Sequence, residues 1–237
     1  MTINIFPSSS RGKAEHGWLH SRFSYSFAEY YNPDRMGFGT LRVLNDDIIE
    51  PDGGFGMHPH NNMEIITIPI SGSLEHRDSM GNGSVIRTGE VQVMSAGTGI
   101  THSEYNPSKN EHVNLFQIWI MPNKKNVAPR YDQKTFDISQ HTNAYQLLVA
   151  PEGNEGTLFI HQDAYISIGR FDAGITSSYI IRKAGNGLFL MVISGTVEVV
   201  RNILEGRDAA EISNANTVDI KALGSSEVLL MDVPMSQ

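Results

Sequence analysis

The sequence consists of short runs of β-branched and aromatic residues separated by turn residues. Examples are residues 63–70, 89–94 and 113–120, each with Gly, Asn, Ser or Pro at or near its ends. Runs of this kind predict β-strands, and no stretch keeps a 3.6-residue apolar period over three helical turns. We therefore predict an all-β protein whose strand spacing suits a sandwich or a barrel.

A repeated segment divides the sequence into two halves. Residues 68–76 (IPISGSLEH) and 191–199 (MVISGTVEV) each contain a strand, a Ser-Gly turn and a return strand. The polar passage 122–156 lies between the two copies and reads as their connection. We predict two antiparallel β-barrels packed together, an N-terminal domain at 1–130 and a C-terminal domain at 131–237.

Composition restricts the chemistry that the protein can carry. The 237 residues include no cysteine, which excludes disulfides, zinc-thiolate sites and cysteine-held iron–sulfur clusters, so any metal must bind to nitrogen and oxygen. The net charge of −8 and the absence of a basic cluster argue against direct binding of nucleic acid.

The sequence also gives expectations about location and assembly. No apolar run approaches the ~20 residues of a membrane span, and the N-terminus lacks the layout of a secretory signal. We therefore expect a cytoplasmic protein without a membrane partner. Because nothing resembles a dimerisation helix, we expect a monomer.

Two pairs of polar residues have the spacing of metal ligands. On a strand, residues i and i+2 point to the same face roughly 6.5 to 7 Å apart, so His58 and His60 can converge on one atom. His102 and Glu104 repeat this spacing after the glycine-rich turn 97–99. A lone His-x-His pair is weak evidence, but two pairs supply three imidazoles and one carboxylate. Such a set predicts an open, catalytic transition-metal site, and the second copy of the repeat has Ile181, Lys183 and Ser225 at the equivalent histidine positions.

His76 and four apolar residues have two interpretations each. His76 is either a strand histidine on the barrel wall or a donor beside the metal site. Three further histidines, His112, His141 and His161, lack a partner at ligand spacing and are interpreted as structural. Four residues are candidate walls of an apolar pocket, although core packing explains them equally well: Phe55, Met57, Met63 and Phe116.

Four segments resemble the pirin family of the cupin superfamily, whose bacterial members include quercetin 2,3-dioxygenases. These segments are FGMHPH (55–60), EHRDSMG (75–81), MSAGTGITHSE (94–104) and FQIWIMP (116–122). The resemblance is strong in the first half and lies mainly in the layout of the second half. It implies a bicupin fold of the double-stranded β-helix or jelly-roll type, in which the second barrel binds no metal.

The same resemblance implies a ligand set. His58, His60, His102 and Glu104 would hold one divalent metal, Fe(II) before any other, although Ni, Co, Cu, Mn and Zn suit the same ligands. In many cupins the glutamate that follows His-x-His is a ligand, so Glu64 competes with Glu104. Pirin-like proteins use the later carboxylate, and Glu64 then has a supporting or structural role.

The implied activity is a metal-dependent dioxygenase that cleaves flavonols such as quercetin with O2. Glu104 would take the proton of the substrate hydroxyl as a general base. An alternative is a metal- or redox-sensing regulatory protein of the pirin type that binds a protein partner, with which the acidic charge is compatible. No residue specifically supports a third class, a cupin isomerase or carbohydrate-binding module.

Overall fold

The protein is all-β, as predicted from the sequence. The structure, a computed structural model, describes residues 1–137, 141–153 and 156–236. Within these ranges the helical structure is limited to one 3₁₀ turn, Ser8–Ser10. The described strands are β1 Thr2–Phe6, β2 Gly12–Glu15, β3 Leu19–Phe23, β4 Leu41–Ile49, β5 Gly54–His60, β6 Glu64–Ser71, β7 Ser73–Asp78, β8 Gly83–Arg87, β9 Glu90–Ser95, β10 Ile100–Tyr105, β11 Val113–Ile120, β12 Arg130–Thr135, β13 Ala144–Ala150, β14 Leu158–Phe159, β15 Tyr165–Phe171, β16 Thr176–Ile180, β17 Asn186–Ser194, β18 Thr196–Val199, β19 Asn202–Glu205, β20 Ala209–Ser213, β21 Thr217–Ala222 and β22 Ser226–Pro234.

The strands form four sheets, two in each half of the molecule. In the N-terminal half, a seven-stranded sheet of order β12-β9-β6-β11-β4-β3-β2 accompanies a four-stranded sheet of order β5-β10-β7-β8. The C-terminal half repeats this plan with β1-β20-β17-β22-β15-β13-β14 and β16-β21-β18-β19. Each half is thus a jelly-roll built from one large and one small sheet, which confirms the predicted two-part all-β architecture. Among the described residues, no helix is long and apolar enough to cross a membrane.

Two strands pair near the expected domain boundary or across it. Strand β1 pairs with β20, so the N-terminal residues complete the large sheet of the C-terminal half. Strand β12 pairs with β9 and therefore belongs to the large sheet of the N-terminal half. The division at residues 130 and 131 stays a prediction, and the pairing of β1 with β20 shows that the halves are connected by more than a linker.

The largest core lies between the two seven-stranded sheets. Its buried side chains come from both halves, and each contributes roughly 1.5 to 3 kcal/mol through removal of apolar surface from water. A second apolar core fills the space between the two C-terminal sheets. Representative members of the first core are Leu44, Ile66, Phe116, Ile118, Phe189, Leu229 and Met231.

The interior of the N-terminal half is polar where the C-terminal half is apolar. Along β11, Phe116 and Ile118 face the core between the large sheets, so the alternate residue Gln117 faces the small sheet. Asn45 and Thr67 are its direct partners on the neighbouring strands β4 and β6. All three polar side chains are buried. Asn45 and Gln117 of this row line a cavity between the two N-terminal sheets, in the place that an apolar core occupies in the C-terminal half.

Candidate metal centre

Three histidines converge on the inner face of the small N-terminal sheet. Strand β5 pairs with β10 so that His58 lies directly opposite His102. The ring centroids of His58 and His102 are 4.4 Å apart, and His60 lies 4.9 Å from the first and 4.8 Å from the second. One ring nitrogen of each histidine lies within 4.8 Å of the others. The structure therefore brings together the histidines that the i, i+2 spacing singled out.

The rings are oriented so that lone pairs are available to a metal. His58 Nδ1 lies 2.8 Å from the carbonyl oxygen of Gly56, and donation of its N–H there leaves Nε2 free. His102 Nε2 is buried and has no hydrogen-bond partner among the described residues. A buried polar atom without a partner costs about 1 to 3 kcal/mol, so this nitrogen fits a ligand of an added group.

His60 and His102 are neutral near pH 7, which is the form that binds metal. Burial, followed by the charge of His58, lowers the pKa of His60 to about 4. Burial and the neighbouring histidines, His58 foremost, lower the pKa of His102 to about 2. A neutral imidazole needs to lose no proton on binding a cation, so these rings are ready ligands near pH 7.

Glu104 is buried next to His102 and is fixed by Gln117. The Gln117 amide Nε2 donates to both carboxylate oxygens, at 3.1 and 3.3 Å. Burial raises the pKa of Glu104 to about 7. The pairing of β10 with β5 shifts register between His102 and Glu104, and such an irregularity re-aims a side chain. Within 4.8 Å the carboxylate groups with His102 and His76 rather than with the other two histidines.

A cavity of about 250 Å³ opens beside these residues. Its apolar side consists of Phe27, Phe55, Ile65 and Trp119. The Trp119 ring makes edge contacts with Phe27 at 5.3 Å and with His60 at 4.8 Å. The cavity thus combines an aromatic wall with histidine side chains, which suits a planar organic guest.

Three of the four expected wall residues lie elsewhere. Phe55 lines the cavity, but Met57 points outward with 61% of its surface exposed. Met63 packs against the separate cluster that contains Met94. Phe116 is enclosed in the core between the large sheets because its strand parity is opposite to that of Gln117.

Glu64 also lies away from the cavity. It accepts a hydrogen bond from Ser95 Oγ at 2.7 Å, and burial raises its pKa to about 7. The strand is interrupted after His60, so Glu64 does not continue the face that carries the histidines. Asn62 adopts a left-handed backbone with φ of 47°, and Glu64 resumes on the face opposite to Ile65.

The structure also adds cavity residues that the sequence interpretation missed. Asn45 and Asp47, alternate residues of β4, line the polar side together with Gln117. Burial is the main cause that raises the pKa of Asp47 to about 7, while Ser21 Oγ donates to it at 2.5 Å. Strict alternation along β11 could have identified Gln117 and Trp119. Phe27 comes from the segment 26–33, whose aromatic residues next to a turn signal fit either the mouth of a pocket or the packing of a terminal strand.

The four other histidines considered in the sequence analysis divide into two groups. His76 is fully buried and lies against His102, with the two Nδ1 atoms 3.4 Å apart. His112, His141 and His161 belong to neither of the ligand groups found in the described residues.

Two jelly-roll halves, of which the N-terminal one carries a convergent histidine group, define a bicupin with a candidate metal centre. Comparison with known proteins specifies the family. The pirin profile matches residues 6–120, and a profile described as the quercetinase C-terminal cupin domain matches residues 147–233. The chain belongs to the pirin family.

The similarity to individual relatives extends over nearly the whole chain. A quercetin 2,3-dioxygenase of Escherichia coli is 44% identical over 232 residues, which cover 98% of this chain and 99% of the relative. A pirin-like protein of Caulobacter vibrioides is 40% identical and covers 97% and 99%. The crystal structure of the bacterial pirin YhhW from Escherichia coli, in complex with nickel(II), superposes with a TM-score of 0.93 at 42% identity, covering 98% and 99%.

Proposed function

We propose that this protein is a metal-dependent dioxygenase that cleaves flavonols such as quercetin with O2. The observation that carries this proposal is that three converging imidazoles and a buried carboxyl group line the same aromatic-walled cavity. The similar protein named quercetin 2,3-dioxygenase supports the substrate class, and the nickel(II) complex of YhhW supports a divalent metal. Fe(II) is the metal that we propose for this chain.

In this proposal His58, His60, His102 and Glu104 hold a single metal ion. The donor set of nitrogen and oxygen with open positions suits a catalytic transition metal. When bound, such a metal polarises the oxygen atoms of a substrate and, if redox-active, permits reaction with triplet oxygen.

The protein side chains supply positioning and proton transfer. Phe27, Phe55 and Trp119 flank a flat aromatic substrate and exclude water from it. Glu104 takes the proton of the substrate 3-hydroxyl as a general base, and the amide of Gln117 keeps its carboxylate oriented. The overall reaction consumes one O2, opens the central flavonol ring and releases carbon monoxide.

Turnover of quercetin tests the proposal directly. Fe(II) protein prepared without oxygen is mixed with quercetin, O2 is admitted, and loss of the flavonol absorption is followed together with O2 uptake. We expect the flavonol absorption and the O2 concentration to decrease together. Absence of turnover with every divalent metal tried would reject the enzyme and leave the metal-binding regulatory protein as the remaining interpretation.

Two carboxylate variants identify the acidic residue. Glu104→Gln should abolish turnover. Glu64→Gln is the matched control, because Glu64 is equally buried but lies outside the cavity, and it should retain both metal binding and activity. The reverse pattern would show that Glu64 is the functional carboxylate.

A further inference from the structure

The hairpin formed by β7 and β8 carries a row of polar side chains that ends behind His102. Strand β7 pairs with β10 so that Asp78 lies opposite His102 and His76 lies opposite Glu104. The side chains of His76 and Asp78 are both fully buried. We propose that Asp78 is a positioning residue that acts through His76 to determine which nitrogen of His102 binds the metal. This inference rests on the metal site of the proposed function, and we call the three residues Asp78, His76 and His102 the hairpin relay.

The outer end of the hairpin relay is a fixed carboxylate. Asp78 Oδ1 accepts the backbone N–H groups of Met80 at 2.9 Å and of Asn82 at 3.0 Å. Asp78 Oδ2 accepts the Asn82 side-chain amide at 2.8 Å. These contacts organise the turn of the hairpin around the carboxylate. An ionised carboxylate only accepts hydrogen bonds, so its contact with His76 Nε2 at 3.3 Å requires an N–H on that nitrogen.

This requirement determines the tautomer of each ring along the relay. A neutral imidazole has one N–H, so His76 with its proton on Nε2 has a lone pair on Nδ1. His102 Nδ1 lies 3.4 Å from His76 Nδ1 and must therefore donate an N–H to the lone pair there. The lone pair of His102 is then on Nε2. This is the buried nitrogen that has no partner among the described residues, so two separate observations lead to the same atom.

The His76 ring is also held in place by packing. The Tyr131 ring lies 4.8 Å from it at an interplanar angle of 33°. Tyr131 OH in turn donates to Gln133 at 2.8 Å and contacts the hydroxyl of Ser84, the strand partner of His76. The ring therefore has little freedom to rotate away from its two hydrogen bonds.

Metal-binding histidines usually donate their second N–H directly to a carboxylate or a carbonyl group. His58 follows this pattern through Gly56, whereas the carboxylate that serves His102 acts through a second imidazole. The competing interpretation is that His76 is itself a ligand, because His76, His102 and Glu104 also group within 4.8 Å. The two interpretations predict different tautomers and different effects of substitution.

Imidazole tautomers can be measured on the unaltered metal-free protein. Two-bond proton–nitrogen NMR spectra of ¹⁵N-histidine-labelled protein distinguish protonated from unprotonated ring nitrogens. We expect His102 to carry its proton on Nδ1 and His76 to carry its proton on Nε2. A proton on Nε2 of His102 would overturn the hairpin relay, and this measurement needs no variant that must fold.

Nickel(II) affinity provides the second test. Calorimetric titration should show that Asp78→Asn and His76→Gln each bind nickel(II) roughly 10- to 100-fold more weakly than the wild type, with a shifted visible absorption of the cobalt(II) form. Because Asp78 acts through His76, the double variant should lose little more nickel(II) affinity than either single variant. Glu75→Gln is the control on the same strand, since Glu75 forms an exposed ion pair with Arg77, and it should match the wild type.

Three outcomes would contradict the hairpin relay. These are unchanged nickel(II) affinity in Asp78→Asn, losses that add in the double variant, and a loss in His76→Gln far larger than that in Asp78→Asn, which would make His76 a ligand. Neither experiment uses a flavonol or O2. A failure of quercetin turnover therefore leaves the relay standing, and failure of the relay leaves the proposed reaction standing.

Discussion

Replacing Asp47 with asparagine should make the metal-free protein more stable at neutral and alkaline pH. Asp47 is fully enclosed, and burial, with the nearby carboxyl groups of Asp46 and Glu104, raises its pKa from 3.8 to about 7. Ser21 opposes the shift by donating to it. His60 and His102 line the same cavity, and their low pKa values mean that they bring no positive charge near pH 7.

The sign of the effect follows from proton binding. Between pH 4 and 7 the folded protein keeps a proton on Asp47 that the unfolded chain has released. Stability contributed by this group therefore falls as the pH rises through that window. The difference between a pKa of 3.8 and one of about 7 corresponds to a loss of about 4 kcal/mol in the free energy of unfolding. Asparagine does not ionise, so the variant avoids this loss. Asparagine also keeps an oxygen that accepts the Ser21 hydrogen bond.

Urea unfolding in the presence of a chelator measures this effect. The free energy of unfolding of Asp47→Asn minus that of the wild type should rise by several kcal/mol between pH 4 and 7 and stay constant above pH 7.5. Asp34→Asn, at an exposed carboxylate, is the control and should give a difference near zero throughout. A flat difference for Asp47→Asn would refute the conclusion that an ionised Asp47 is costly in the cavity.

Three further predictions concern stability. Gly97→Ala should cost more than ~2 kcal/mol of stability in thermal melts, because φ is +49° and the new Cβ would lie 2.0 Å from a backbone carbonyl oxygen. The control Gly185→Ala, at φ of +88° with nothing within 4 Å of the new Cβ, should cost about 1 kcal/mol. In chemical unfolding Asp46→Asn should cost about 3 kcal/mol, because it removes the nearest counter-charge of the buried Arg11 and of the partly buried Arg207. Glu75→Gln breaks an exposed pair and should cost less than ~1 kcal/mol. Nickel(II) at 100 times its dissociation constant should stabilise the wild type by about 2.7 kcal/mol in melting experiments, and His102→Ala should lose most of this gain.

The all-β class and the convergence of the histidines follow from local rules. Strand composition and turn residues are local properties, and the i, i+2 spacing places His58 and His60 on one face whatever the rest of the fold does. The opposition of His58 and His102 needed one further fact, the antiparallel pairing of their strands. Motif spacing indicated that pairing only through the resemblance to pirin.

The cavity walls could not be read in the same way. The alternation of side chains between the two faces of a strand does not continue through a turn. The irregular backbone at Asn62 interrupts it, so Glu64 does not lie on the face that carries the histidines. Phe116 faces the core between the two large sheets, and the sequence does not show which face of its strand points to that core. Asp47 reaches the cavity because β4 pairs with β11, a partner about seventy positions away in sequence. Without that pairing, a charged residue in a strand is expected to face solvent.

The pattern of strand β4 also indicates what the C-terminal half contributes to the cavity. Asp47 faces the cavity, whereas its neighbour Asp46 faces the other half, where Arg207 Nε lies 3.1 Å from its carboxylate. Arg207 also donates to Asn114 on β11 at 2.8 Å, and the buried Arg11 lies 3.7 Å from Asp46. Because adjacent residues of a strand point to opposite faces, a contact that fixes one side of β4 also fixes the position of the other. The C-terminal half thus supports the cavity from behind, through a charged contact with a strand whose opposite face lines the cavity.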